Sequence, residues 1–150
     1  MPIVFYNLEN LKPRSESERI LDHKGLRITP RRLLVLEQLL VQETPSGLNT
    51  LQTALPRADR TTIYRTLKTF SENGIVHPIE NGNTEVKYAL CRAFCTASEH
   101  LDKHPHFHCQ KCQRIICLEA LDVPALDYPN GYLVHEVSMT VKGICAQCQP

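Results

Sequence analysis

Asp59-Arg60-Thr61-Thr62-Ile63-Tyr64-Arg65-Thr66-Leu67-Lys68-Thr69-Phe70-Ser71-Glu72-Asn73-Gly74, running on into Ile75-Val76-His77-Pro78-Ile79-Glu80, is the stretch whose reading decides the fold. Asp59 can accept a hydrogen bond from a first-turn amide, so it caps a helix start. Ile63, Leu67 and Phe70 recur at helical spacing and form one buried stripe. Gly74 closes the helix, because glycine enters the left-handed region without a Cβ penalty. A helix from about Asp59 to Asn73 is therefore expected, with Arg60, Thr61, Tyr64, Arg65 and Lys68 left on its surface.

Upstream, helical signals repeat. A short helix is expected from Ser17 to His23, stopping at Gly25. Thr29 can cap the next, with Pro30 at its first position, where a missing N–H costs nothing. Leu33, Leu36 and Leu40 make its stripe, and it ends before Pro45. A shorter helix fits Asn49 to Leu55, with Leu48, Leu51 and Leu55 inward. Downstream, Ile75 to Glu80 and Val86 to Leu90 read as strands around an Asn81-Gly82-Asn83 turn, with Val86, Tyr88 and Leu90 on the buried face. Helices closed by a hairpin are the order of a winged helix-turn-helix, whose last helix enters a DNA major groove. Any compact three-helix fold with a hairpin would share this patterning. The Arg, Lys, Thr and Tyr set on the last helix favours the DNA reading, since such side chains contact base edges and phosphates.

Seven cysteines dominate the chemistry of the second half and its approach. Cys109-Gln-Lys-Cys112 and Cys145-Ala-Gln-Cys148 are two C-x2-C pairs, each able to put two thiolates on a tight turn. Together they complete a tetrahedral four-sulfur site of the kind zinc accepts. Paired disulfides and an iron–sulfur centre are the alternatives. A metal here staples the tail of the chain to the strand before Cys109, which matters because few apolar residues lie between. Leu118 to Leu126 can form at most a brief helix, and Tyr132 to Val141 reads as strand.

A second donor set is spread along the chain. His104, His106 and His108 share one face of an extended segment. His77 lies on the first hairpin strand and Cys91 just past the second. His77, Cys91, His104 and His106 form a set of imidazoles and a thiolate suited to zinc, or to iron, cobalt or nickel. His108, Cys117, His135 and His100 are substitutes for one of these ligands. Each residue also has an ordinary reading, His77 as a surface residue and Cys91 as a small buried hydrophobe.

The chain has 150 residues, 42% hydrophobic and 22% charged, which is globular composition with room for one domain or two small ones. Residues 1–74 carry 11 Lys and Arg against 8 Asp and Glu, whereas 75–150 carry 6 against 8, so a polyanion suits the first half better. No window is apolar enough to span a membrane, and no export signal is read. A cytoplasmic chain using cysteine for metal rather than disulfides is the expectation. An enzyme reading, a zinc hydrolase using His104 and His106, lacks an H-E-x-x-H motif and any supported base beyond nearby Asp102. A zinc-stabilised protein-interaction module is the other rival.

These residues resemble a known family. Gly25-Leu26-Arg27-Ile28-Thr29-Pro30-Arg31-Arg32, Thr61-Thr62-Ile63-Tyr64-Arg65-Thr66-Leu67, His104-Pro105-His106-Phe107-His108-Cys109-x-x-Cys112 and Gly143-Ile144-Cys145-x-x-Cys148 are similar to the ferric uptake regulator family of metal-responsive repressors. Over residues 17–149 the resemblance implies an α+β chain with an N-terminal winged helix-turn-helix and a small C-terminal α/β dimerisation module stapled by zinc. The implied divisions are an extension (1–16), a DNA-binding domain (17–90), a hinge (91–103) and a dimerisation and metal-sensing domain (104–150). The implied roles are structural zinc at Cys109, Cys112, Cys145 and Cys148, a regulatory ion at His77, Cys91, His104 and His106, and DNA contacts from Tyr64 and Arg65, with Arg27 or Arg32 supporting the backbone. Arg60, Thr61 and Lys68 complete the expected DNA set.

The implied protein is a homodimer on a palindromic AT-rich operator, with no membrane or small organic partner, and not an enzyme. Cys91 resembles the zinc-uptake regulators, while Ala89 stands where typical iron sensors carry Glu; an iron-responsive regulator is the alternative. Three departures stand out: a long span from Cys91 to His104, Cys117 in place of a common regulatory Glu, and Val137 in place of a third-site His.

Overall fold

The computed structural model describes residues 13–80, 82, 85–91, 104–135 and 137–150. Most of the expected extension, Asn81 and Asn83 of the expected turn, and the linker from 92 to 103 with Cys95 and His100 lie outside the described residues.

Four helices come first. α1 (Glu16–His23) starts with a reciprocal capping box between Ser15 and Glu18. α2 (Pro30–Leu40) is capped by the Thr29 hydroxyl, with proline at the first position. α3 spans Leu48–Ala54. α4 (Arg60–Glu72) begins where the Asp59 carboxylate accepts the Thr62 amide at 3.0 Å. Its end is a Schellman turn: Gly74 at φ 64° lets the amides of Gly74 and Ile75 reach the carbonyls of Ser71 and Phe70. Leu21, Leu36, Leu51, Ile63, Leu67 and Phe70 are fully enclosed and form the core.

Two three-stranded sheets follow. The first has the order β1 (Ser46–Gly47), β3 (Lys87–Leu90), β2 (Val76–Ile79), all antiparallel. β1 has no counterpart in the sequence reading, since two residues carry no periodicity. The second has the order β5 (Ile115–Cys117), β4 (His106–Cys109), β6 (Thr140–Gly143), with β4 and β6 parallel. A 3-10 turn, Ala146–Cys148, carries the last cysteine.

The first sheet is covered on both faces, and this changes the expected buried face. Tyr88 and Leu90 pack against the helical core, but Val86 is 38% exposed. The opposite face carries Ala89, 6% exposed, which with Ile79 meets Ile115 of β5 and adjoining Cys117. A strand buried on two sides has no clean alternation. The register pairs His77 with Ala89 on the face turned to the second sheet.

The second half is β-rich rather than α/β. Leu118 to Leu126 contains no helix, only a turn closed by the Leu121 amide on the Leu118 carbonyl at 3.0 Å. The expected strand over Tyr132 to Val141 shrinks to Thr140–Gly143. Tyr132 and Leu133 are 72% and 80% exposed among the described residues.

Candidate metal centres and DNA-binding face

Cys109, Cys112, Cys145 and Cys148 converge, with all four sulfurs within 4.8 Å of one another. β4 delivers Cys109 and the turn after it Cys112; β6 leads into Cys145 and the 3-10 turn presents Cys148. All are free thiols, and Cys112 Sγ lies 3.9 Å from Cys145 Sγ. A tetrahedral ion with metal–sulfur bonds of about 2.3 Å sets its sulfurs about 3.8 Å apart, so the donor set fits such an ion. The amides of Cys112 and Cys145 donate to Cys109 Sγ at 3.5 and 3.4 Å and hold its thiol down to about 5. The Arg114 guanidinium holds Cys112 below the usual thiol range. Hydrogen bonding with Cys145 and Cys112, then burial, pushes Cys148 up to about 12. Ionising all four sulfurs this close would require a cation among them.

The second set forms where the two sheets face each other. His77 comes from β2, His106 from β4, and His104 from the segment just before β4. Each is 8% exposed, and one nitrogen of each lies within 4.8 Å of the others. His77 Nε2 and His106 Nε2 are 3.4 Å apart. Metal–nitrogen bonds of about 2.0–2.1 Å in a tetrahedral site give that spacing. Cys91 Sγ lies 3.5 Å from His77 Nδ1, the ring nitrogen other than the one that faces His106, so the thiol borders the imidazole trio.

His108 does not join the trio. Its Nε2 faces Gln113 Oε1 at 3.0 Å, and its Nδ1 is buried without a hydrogen-bond partner among the described residues. Cys117 is half-buried and sits opposite His106 in the β4–β5 register. His135 is exposed.

The residues expected to meet DNA lie on one side of the helical half. Arg60, Thr61, Tyr64, Arg65 and Lys68 are all exposed on α4. Arg60 is tied to Asn49 Oδ1 at 2.8 Å, and Lys68 pairs with Glu72 at 3.9 Å. Between α4 and the start of α2 runs a groove of about 550 Å³ lined by Arg27, Arg31, Arg32, Arg65, Thr62 and Thr69 among others. The Arg32 guanidinium donates to the Arg27 carbonyl at 2.7 Å, which braces the loop between α1 and α2. Arg31 was not among the expected contacts; its place beside Arg32 in the first turn of α2 was the available signal. A second missed link starts at Glu85, whose carboxylate accepts the Asn49 amide at 2.7 Å and so joins the hairpin to α3.

Comparison with known proteins places this geometry. The model of the family described as ferric uptake regulator family matches residues 23–129, more than two thirds of the chain. The Cys145 and Cys148 pair lies past that match. The zinc uptake regulation protein of Escherichia coli K12 is 29% identical over 146 residues, covering 89% of this chain and 80% of the relative. The peroxide-responsive repressor of Staphylococcus aureus is 25% identical over 144 residues, covering 89% and 90%. A solved zinc uptake regulator complexed with zinc and DNA superimposes with a TM-score of 0.61 at 26% identity, covering 87% of this chain and 89% of that one. These identities are too close together to choose a branch within the family. Among the described residues no helix is long and apolar enough to cross a membrane. By the extent of the family match and the shared fold, the chain belongs to the ferric uptake regulator family.

Proposed function

We propose that this chain is a transcriptional repressor that binds DNA as a homodimer when an ion, zinc in this reading, occupies the site made by His77, Cys91, His104 and His106. The observation that carries it is the meeting of imidazoles from two sheets: His77 stands on the hairpin behind the DNA-facing helices, and His104 and His106 stand on the cysteine-stapled half. When bound there, the ion supplies a bond network that joins the two halves. The residues do the rest. Arg27, Arg31, Arg32 and Arg65 line an anion-accepting groove, and Tyr64 and Arg65 face outward from α4 toward base edges. Residues 17–90 form the DNA-reading part in this scheme, and 104–150 the dimerising, metal-sensing part.

Metal acts only through preference for one arrangement, so the DNA-ready arrangement must be the one that brings the three imidazoles together. In a dimer, two α4 helices would then reach successive major grooves about 34–36 Å apart. Exposed Leu126, Tyr128, Tyr132, Leu133 and Ile144 supply apolar surface for the partner copy. Zinc is favoured over iron by the thiol of Cys91 beside His77, since thiolate ligands suit zinc better than harder ions. A cytoplasmic location and control of metal-uptake genes complete the reading.

The deciding experiment holds the four-cysteine site saturated and titrates zinc, then Fe(II), against a labelled AT-rich palindromic duplex. Zinc-dependent, salt-dependent binding supports the proposal. Equal affinity with and without the second ion overturns it.

A further inference from the structure

The two cysteine knuckles are tied together by more than their sulfurs. Lys111 Nζ, in the first knuckle, donates to the Cys148 carbonyl of the second at 3.0 Å. Arg114, just past the first knuckle, donates from Nε to Cys112 Sγ at 3.5 Å and from Nη2 to the Gln147 side-chain oxygen in the second. One guanidinium thus holds a sulfur of one knuckle and the Gln147 side chain of the other. The Ala146–Cys148 turn has no side-chain cap at its start, and these two ties join it to the first knuckle.

The sulfur that Arg114 covers is the vulnerable one. Cys109 and Cys145 are buried and Cys148 half-buried, whereas Cys112 is exposed. Four thiolates around a dication carry a net charge of −2; Arg114 brings a positive charge to hydrogen-bond distance of one sulfur, and Lys111 brings another to the Cys148 carbonyl. A planar fork can serve the sulfur and the distant amide at once, which a lysine ammonium on one stem cannot do in the same geometry.

We infer that Arg114 is a positioning residue that clasps the two knuckles and shields Cys112, slowing both loss of the bound ion and attack on that sulfur by electrophiles. This rests on the reading of the four cysteines as a metal centre. No part of the DNA face is involved, so the clasp sets how long the staple survives rather than what the repressor reads. Outer-sphere hydrogen bonds to metal ligands tune affinity in this way.

The test uses the full zinc-loaded chain. Zinc release to excess 4-(2-pyridylazo)resorcinol is followed by absorbance, and iodoacetamide labelling is mapped cysteine by cysteine with mass spectrometry. Arg114→Met should release the thiolate-bound zinc about 10-fold faster and make Cys112 the first cysteine labelled. Arg114→Lys should fall between it and wild type. Gln147→Ala removes only the tie between knuckles, so it should speed release less and leave Cys112 labelling unchanged. Arg114→Met that stays within about twofold of wild type in release, with unchanged labelling, overturns the clasp. A wild-type chain holding no ion that Cys109→Ser removes overturns the metal reading, and the clasp falls with it.

Discussion

His77 Nε2 on β2 and His106 Nε2 on β4 stand 3.4 Å apart across the two sheets. Two lone pairs so placed repel unless a proton or a cation lies between them. His77→Ala and His106→Ala should therefore each remove one metal equivalent per chain and leave the other bound. Metal content after gel filtration checks the first point, and retention of zinc sensitive to Cys109→Ser checks the second. DNA affinity of both variants should become independent of added zinc. Loss of both ions from either variant would show that the two centres are not separate.

The groove between α2 and α4 predicts how DNA affinity responds to charge removal. Arg31 and Arg65 line it together with Arg27 and Arg32. Arg31→Ala should weaken binding about equally on operator and unrelated duplex and reduce the salt slope by about one, as loss of a phosphate contact does. Arg65→Ala, from the outward face of α4, should cost about 1–3 kcal/mol on the operator and less on unrelated DNA. Fluorescence anisotropy across a salt series separates the two. Equal behaviour of both variants would mean that Arg65 holds backbone only.

Much of this arrangement was legible in the sequence where local chemistry decides structure. Asp59, Thr29 and Pro30 gave helix starts, and Gly74 gave a stop, because each acts within one turn of its own position. The four thiols were legible because C-x2-C fixes two donors by spacing alone. The reading failed where distant packing decides. Val86, Tyr88 and Leu90 alternate, yet the second sheet buries Ala89 on the other face, and no local pattern announces that sheet. His104, His106 and His108 looked equivalent by alternation. His108 instead turns to Gln113, which holds the left-handed position φ 61° just after the first knuckle. Tyr132 to Val141 has strand composition, but among the described residues pairing begins only at Thr140.

The cap of α4 sets an acid limit on the DNA-facing helix. The hydroxyl of Thr62, then its amide, holds the Asp59 carboxyl below its ordinary 3.8. A carboxyl depressed in the folded state stabilises it fully above the unfolded value, and that contribution fades as pH falls through the folded value. The cap is thus complete at neutral pH and fails only below 3.8. Asp59→Asn keeps a capping oxygen but no charge, so it should melt somewhat lower than wild type at pH 7, and the gap should narrow as pH falls below 3.8. Thermal melts followed by circular dichroism above and below that value measure this. A gap between the two proteins that persists at low pH would place the effect elsewhere.

Ala89 offers the sharpest control over which ion the chain prefers. It lies directly across from His77 in the β2–β3 register, and it is 6% exposed against Ile79 and Ile115. Side chains so paired have Cβ atoms about 4.5–5.5 Å apart on one face, so a carboxylate built at Ala89 would reach the imidazole trio. Buried there without a cation, it would be costly, because an unpaired carboxylate loses its water. Ala89→Glu should accordingly destabilise the chain when only the four-cysteine site is filled. Adding a second ion should recover more of the lost stability than the same ion adds to wild type. The gain should be larger for Mn(II) or Fe(II) than for zinc, because an oxygen donor suits harder ions. Melting temperatures with each metal, at fixed occupancy of the cysteine site, decide the point. Destabilisation that no metal relieves would mean that the position opposite His77 does not open onto the ion.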